Sequence, residues 1–193
     1  ARAVCGTAVL GIDSNGLFTG LWVEAKTDTG AYLSRRTKGL LTNIGGVAGQ
    51  YKTPVIACEL TFFYTNTMQT SPYRGFGRPE ATYIIERLID KAARETGNDP
   101  LALRQRNLIT PEQMPYQTGL KFRYDCGDFP KIIDAAAKRA DYGGFRKRQI
   151  QSEEKGYLRG IGIANPIEVA GGPINQIRPD ITRVTASADG VIT

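Results

Sequence analysis

The 193-residue sequence contains no histidine. That removes the side chain most often used for proton transfer near neutral pH, and with it the commonest nitrogen ligand for metals. Cysteine is scarce as well: Cys5, Cys58 and Cys126 are the three present, and they lie far apart. A zinc site would need all three thiolates plus a carboxylate, and an all-cysteine iron–sulfur cluster needs four thiolates. The cysteines therefore read as isolated reduced thiols of a cytoplasmic protein. Long apolar runs are missing too. AVLGI (8–12) and VIA (55–57) are far too short to span a bilayer, and no basic start followed by an apolar stretch and a cleavage site marks a secretion signal. The chain opens on Ala1 rather than Met and stops just after an Asp-Gly turn, at Thr193. Both features lead us to expect an excised segment.

What is present suits a packed globular domain. Hydrophobic residues make up 41% and charged residues 23%, over a length able to bury a core. The net charge of +6 raises nucleic-acid binding as an option. Its basic clusters, Arg35, Arg36 and Lys38, then Arg146, Lys147 and Arg148, are distant in sequence, and Glu153 and Glu154 follow the second. That is the pattern of a solvated helix face, so no nucleic-acid partner is expected.

Periodicity places the elements. AVCGTAVLGI (3–12) and LFTGLWVEAKT (17–27) predict two strands joined by DSNG, with Asn-Gly supplying positive φ angles. The glycine-rich stretch 40–54 has neither helical nor strand period and predicts a loop near a ligand or a domain edge. VIACELTFFYTNT (55–67) returns to strand character. Within 79–97, Ile84, Ile85, Leu88, Ile89, Ala92 and Ala93 share one helical face, and Asp99-Pro100 starts a second helix. A third helix is predicted over 128–142, burying Ile132, Ile133, Ala136, Ala137 and Ala140, and a fourth over 145–155. LRGIGIAN (158–165) and ITRVTASA (181–188) read as strands. The expected fold class is α+β, with β hairpins flanking a helical middle. Residues 1–157 form one unit, and 158–193 form the truncated start of a following β region.

The stretch SPYRGFGRPEA (71–81) is the chemically suggestive one. Glycines let backbone approach a ligand closely, free N–H groups bind anions, and a helix beginning at Pro79 adds partial positive charge. The alternative is that Arg74 and Arg78 only cap or ion-pair with neighbouring loops. Glu168 is an acid in the otherwise apolar NPIEVAGGP (165–173), and on these residues alone it suits an acceptor of loop N–H bonds.

Taken in order, GAYLS (30–34), GGVAGQYKTP (45–54), TNT (65–67), YRGFGRPEATYIIERLID (73–90), LRQRNLI (103–109), YDCGDF (124–129) and LRGIGIA (158–164) carry a resemblance. The chain resembles the molybdenum-binding large subunit of the xanthine dehydrogenase and aldehyde oxidase family, which includes the aerobic carbon monoxide dehydrogenases. The resemblance implies molybdopterin, or its cytosine dinucleotide, carrying molybdenum. It implies a cofactor-binding loop of Tyr73, Arg74, Gly75, Phe76 and Gly77, with Arg74 as an electrostatic catalytic helper. Phe76 would wall the substrate pocket, or belong to the core, and Glu168 would lie near the substrate funnel. No side chain of this chain is expected to ligate a metal. Copper-dependent relatives carry a metal-bridging cysteine where Gly75 stands, which argues against that chemistry. The implied reaction is hydroxylation of an aldehyde or N-heterocycle with oxygen from water. The implied partners are the rest of the large subunit, iron–sulfur and FAD subunits or domains, and a small-molecule substrate. The base glutamate and the remaining cofactor loops are absent from the sequence, so the segment alone is expected to lack cofactor and activity. A non-catalytic scaffold reusing the fold is the alternative.

Overall fold

The computed structural model describes residues 4–33, 44–168 and 181–192. The basic cluster at Arg35, Arg36 and Lys38 lies outside the described residues, as does the end of the Glu168 segment. Strands β1 (Val4–Ile12) and β2 (Phe18–Asp28) pair antiparallel, with Val4 opposite Thr27 and Leu10 opposite Leu21. The alternation of β2 explains its place: Leu21, Val23, Ala25 and Thr27 are all buried, so this strand lies over the core. The turn differs from expectation. Gly16 takes a φ of 78°, but Asn15 does not share it. Asp13 closes the turn instead, its carboxylate accepting the N–H groups of Asn15 at 2.9 Å and Leu17 at 2.8 Å.

Strand β3 (Ile56–Phe63) runs parallel to β2, giving a three-stranded sheet in the order β1-β2-β3. Parallel neighbours require a crossover, and part of the glycine-rich stretch lies in it. Most of its described part, Gly45 to Tyr51, is buried. Ile44–Ala48 forms a 3-10 helix, and Val47, Ala48 and Tyr51 are almost fully buried. The glycines serve close packing here: a Cβ on Gly45 would meet the Phe122 ring at 2.9 Å.

Helix α1 (Arg78–Thr96) packs Ala81, Ile85, Ile89 and Ala93 into the core, on the predicted face. Helix α2 (Pro100–Asn107) starts at Asp99, whose side chain accepts the Ala102 N–H at 2.8 Å. At its end Asn107 accepts from the Phe18 N–H and donates to the Gly16 carbonyl, each at 2.8 Å, tying α2 to the first hairpin. A short ladder not predicted from sequence, β4 (Tyr116–Gln117) with β5 (Arg123–Tyr124), brings the Tyr124 hydroxyl to the Gly49 carbonyl at 2.6 Å.

Helices α3 (Phe129–Arg139) and α4 (Phe145–Glu153) complete the described helices. The apolar face of α3 is only partly buried. Ile133 is in the core, whereas Ile132 is 58% exposed and Ala136 and Ala140 are exposed. They line an open groove facing residues 161–166. That segment forms no strand. Its carbonyls are taken by side chains instead: Ile163 by Arg104 and Pro166 by Gln50. In 181–192 the expected hairpin is one bridge, Ala186 to Ile192, around Asp189-Gly190. The fold class is α+β.

One polar group joins these pieces. The Arg104 side chain is fully buried. Its Nε donates to Glu86 Oε2 at 2.9 Å, and Nη1 donates to the Pro100 carbonyl at 3.1 Å. Nη2 reaches Asp90 Oδ1 at 2.9 Å, the Glu86 carbonyl at 3.1 Å and the Ile163 carbonyl at 3.2 Å. The Tyr51 hydroxyl donates to the other Glu86 oxygen at 2.7 Å. Burial opposes the guanidinium charge, but Glu86 and Asp90 outweigh it and hold the Arg104 pKa above its ordinary value.

Two predictions follow from this core. Arg104→Met leaves the Glu86 carboxylate buried without its cation and should cost about 3–5 kcal/mol in urea unfolding. Stability should also fall at alkaline pH. Burial raises the phenol pKa values of Tyr51 and Tyr124, and burial with the Asp99 bond pushes Tyr142 up to about 12. The unfolded chain loses these protons first as pH climbs past 10.0. Urea midpoints should therefore hold below that pH and drop above it, and Tyr142→Phe should flatten the part of the drop up to about 12.

Candidate functional site

The loop before α1 is shaped by two left-handed glycines, Gly75 at φ 86° and Gly77 at φ 87°. It closes on itself. The Phe76 N–H donates to the Tyr73 carbonyl at 2.9 Å and the Arg78 N–H to the Gly75 carbonyl at 3.0 Å. The Gly77 N–H donates to Glu80 Oε2 at 3.0 Å, so a carboxylate from the first helical turn already sits at the helix start. Three N–H groups that sequence alone offered to an anion are thus in use. The positive charge the loop retains for a ligand is that of Arg74.

The two arginines part company here. Arg78 is mostly buried and pairs with Glu168 at 2.6 Å, which brings Glu168 to the start of α1. The ion-pairing alternative therefore holds for Arg78. Arg74 is exposed and has no ion pair or side-chain hydrogen bond among the described residues. Tyr73 beside it is 80% exposed, while Phe76 is half-buried. Behind the loop, Pro79 and Glu80 form one wall of a groove of about 600 Å³ whose other wall is β1 with Cys5 and Ala8.

Asp28 is the residue that sequence reasoning missed. Its carboxylate accepts the Thr65 hydroxyl at 2.5 Å, the Gly30 N–H at 2.7 Å and the Thr67 hydroxyl at 3.0 Å. These bonds, Thr65 first, hold the Asp28 pKa below its ordinary value. Gly30 is required because a Cβ there would fall 2.3 Å from the Met68 carbonyl oxygen. The 28–33 and 65–70 loops are therefore crossed and fixed just ahead of Tyr73. The signal was the Asp-Thr-Gly triplet at 28–30, matched to the two threonines of TNT.

The donor set has a clear chemical bias. Among the described residues no cluster of three or more His, Cys, Asp or Glu is placed to hold a metal ion. Cys5, Cys58 and Cys126 are free thiols, and burial raises the pKa of Cys58. An exposed guanidinium without a counter-ion among the described residues, on a loop lacking side chains at two of its five positions, fits an anionic group rather than a bare cation.

Comparison with known proteins places the chain in a family. Residues 1–108 match the molybdopterin cofactor-binding domain family. The chain belongs to this family. It is 30% identical over 178 residues to the 6-hydroxypseudooxynicotine dehydrogenase complex subunit gamma of Paenarthrobacter nicotinovorans, covering 89% of this chain and 22% of that one. It is 32% identical over 167 residues to the carbon monoxide dehydrogenase large chain of Hydrogenophaga pseudoflava, covering 82% and 21%. Quinoline 2-oxidoreductase from Pseudomonas putida 86 superposes with a TM-score of 0.72 at 29% identity, over 79% of this chain and 20% of that one. The chain spans about a fifth of the length of these relatives. In this molybdopterin-binding domain, then, the arginine–glycine loop is a closed turn displaying Arg74, which has no ion pair among the described residues.

Gly75→Ala should test that geometry. Its Cβ would lie 3.1 Å from the Pro79 ring at a φ of 86°. The left-handed conformation alone costs a non-glycine residue about 1–2 kcal/mol. The expected result is a loss of that size in chemical unfolding, with faster amide exchange at Phe76 and Arg78.

Proposed function

We propose that this chain supplies the arginine–glycine loop to the active site of a molybdenum hydroxylase large subunit. The reaction would be oxidative hydroxylation of an aldehyde or N-heterocycle with oxygen from water. The observation that carries the reading is the division of labour in the loop: Arg78 is spent on Glu168, and Arg74 is exposed without a counter-ion among the described residues. Membership of the molybdopterin-binding family supports it.

In this reading Tyr73, Arg74, Gly75, Phe76 and Gly77 face the cofactor, either molybdopterin or its cytosine dinucleotide form. When bound, that group supplies the two-electron redox chemistry. Arg74 provides a fixed positive charge beside the anionic group and stabilises negative charge developing on the substrate. Phe76 offers an aromatic wall to a planar substrate. Glu168, held by Arg78, lines the approach. Gly75 has no thiol with which to bridge a second metal. The proposed partners are the remainder of the large subunit, with iron–sulfur and FAD subunits or domains taking the electrons. Residues 1–157 would belong to the first molybdenum-binding domain, and 158–193 would open the next β region.

The test is turnover by the full-length enzyme at matched molybdenum content. Losing one preorganised donor should lower kcat by about a hundred- to a thousandfold in Arg74→Ala. Arg74→Lys keeps the charge without the planar fork and should fall less. Wild-type turnover by Arg74→Ala with full metal loading would make the loop structural.

A further inference from the structure

Strands β2 and β3 are parallel neighbours with Asp28 opposite Phe63, so both leave the sheet at the same end. The chain after β3 runs on to the Tyr73–Gly77 loop, and the chain after β2 crosses it. Main-chain bonds join the two. The Thr29 N–H donates to the Phe63 carbonyl at 2.9 Å, the Thr65 N–H to the Gly30 carbonyl at 3.2 Å, and the Ala31 N–H to the Thr67 carbonyl at 3.1 Å. Thr70 closes the contact, its N–H donating to the Thr29 carbonyl at 3.1 Å.

Asp28 braces this crossing with its side chain. Oδ1 accepts the Gly30 N–H and the Thr65 hydroxyl, and Oδ2 accepts the Thr67 hydroxyl. The two threonine hydroxyls lie 2.8 Å from each other. Asp28 is half-buried, Thr67 is exposed and Met68 is 90% exposed, so the cluster adds little to the core. What it fixes is the path of residues 65–70. That path is handed on stiffly. Only Ser71 and Pro72 separate Thr70 from Tyr73. The proline ring fixes its own φ and confines the residue before it to extended backbone.

We propose that Asp28 is a positioning residue for Arg74, setting the place of the guanidinium through the 65–72 segment. The inference rests on the role proposed above for Arg74 and adds the group that holds it there. A misplacement of about 1 Å, caused far from the chemistry, can cost about a hundredfold in rate.

The experiment is a double-mutant cycle on kcat in the cofactor-loaded full-length enzyme at matched molybdenum content, with amide hydrogen exchange on the same proteins. Asp28→Ala should lower kcat by about ten- to a hundredfold. Asp28→Asn should regain most of the loss, because its Oδ1 still accepts and its amide can donate to the Thr67 hydroxyl. In the Arg74→Ala background, Asp28→Ala should change kcat by no more than about twofold, since one acts through the other. Exchange in Asp28→Ala should quicken at the Phe76 and Arg78 amides and stay unchanged at Ile85 and Ile89. Wild-type kcat in Asp28→Ala, no recovery in Asp28→Asn, an equal loss in both backgrounds, or unchanged exchange at Phe76 and Arg78 would each overturn the proposal. If Asp28→Ala does not fold, the exposed Thr67→Val takes its place in the cycle, with an expected loss of about threefold that vanishes in the Arg74→Ala background. An equal loss there overturns the proposal too. Wild-type turnover by Arg74→Ala would remove the reading of Arg74 and this proposal with it, whereas a slow Arg74→Ala enzyme with an independent Asp28 effect overturns the role of Asp28 alone.

Discussion

A single buried guanidinium organises this molecule. Arg104 has no exposure to water, and all of its donor nitrogens end on protein oxygens. An uncompensated charge at that depth would be prohibitive, so each partner must stay where it is. Those partners belong to different parts of the chain: Glu86 and Asp90 on α1, Pro100 on α2, and Ile163 in the segment after α4. Tyr51 joins them through Glu86, which locks the glycine-rich crossover into the same node. The hydrophobic contacts of Ile85, Ile89 and Val47 surround the node but do not by themselves fix its register.

The candidate site inherits its geometry from this node. Residues 161–168 form no strand, so their path depends on side-chain anchors, Arg104 at Ile163 and Gln50 at Pro166. Two residues beyond the second anchor, Glu168 meets Arg78 at the start of α1. The other end of the loop is set by Asp28, which crosses two loops through Gly30, Thr65 and Thr67. Tyr73 to Gly77 therefore hang between two fixed points, and their internal hydrogen bonds make the turn rigid. A turn closed by its own hydrogen bonds, whose Arg74 has no ion pair among the described residues, holds a fixed charge of the kind electrostatic catalysis requires.

Much of this was legible in the sequence. The first hairpin, β3, α1 and the Asp99-Pro100 start of α2 follow from period, caps and β-branched content. The YRGFGRPE loop was singled out by its arginines and glycines, and the ordered motifs pointed to the family. Other parts were hidden for physical reasons. Glycine at 45 and 49 signals either an exposed loop or tight packing, and only the neighbouring Phe122 and Tyr51 decide for packing. The apolar period of α3 fixes a face, not whether anything covers it. LRGIGIAN has strand composition, but a strand needs a pairing neighbour, and here side chains take the carbonyls. The distinct fates of Arg74 and Arg78 depend on Glu168, a contact that no local pattern encodes.

The central claim is that an anionic molybdenum cofactor sits against the Arg74 side of the Tyr73–Gly77 loop. Anomalous diffraction at the molybdenum absorption edge, from crystals of the cofactor-loaded full-length protein, locates the metal directly. The account predicts a single anomalous peak beside that loop, with the Arg74 guanidinium as the nearest cationic group of this chain. A peak elsewhere, with Arg74 still pointing into solvent, would contradict it.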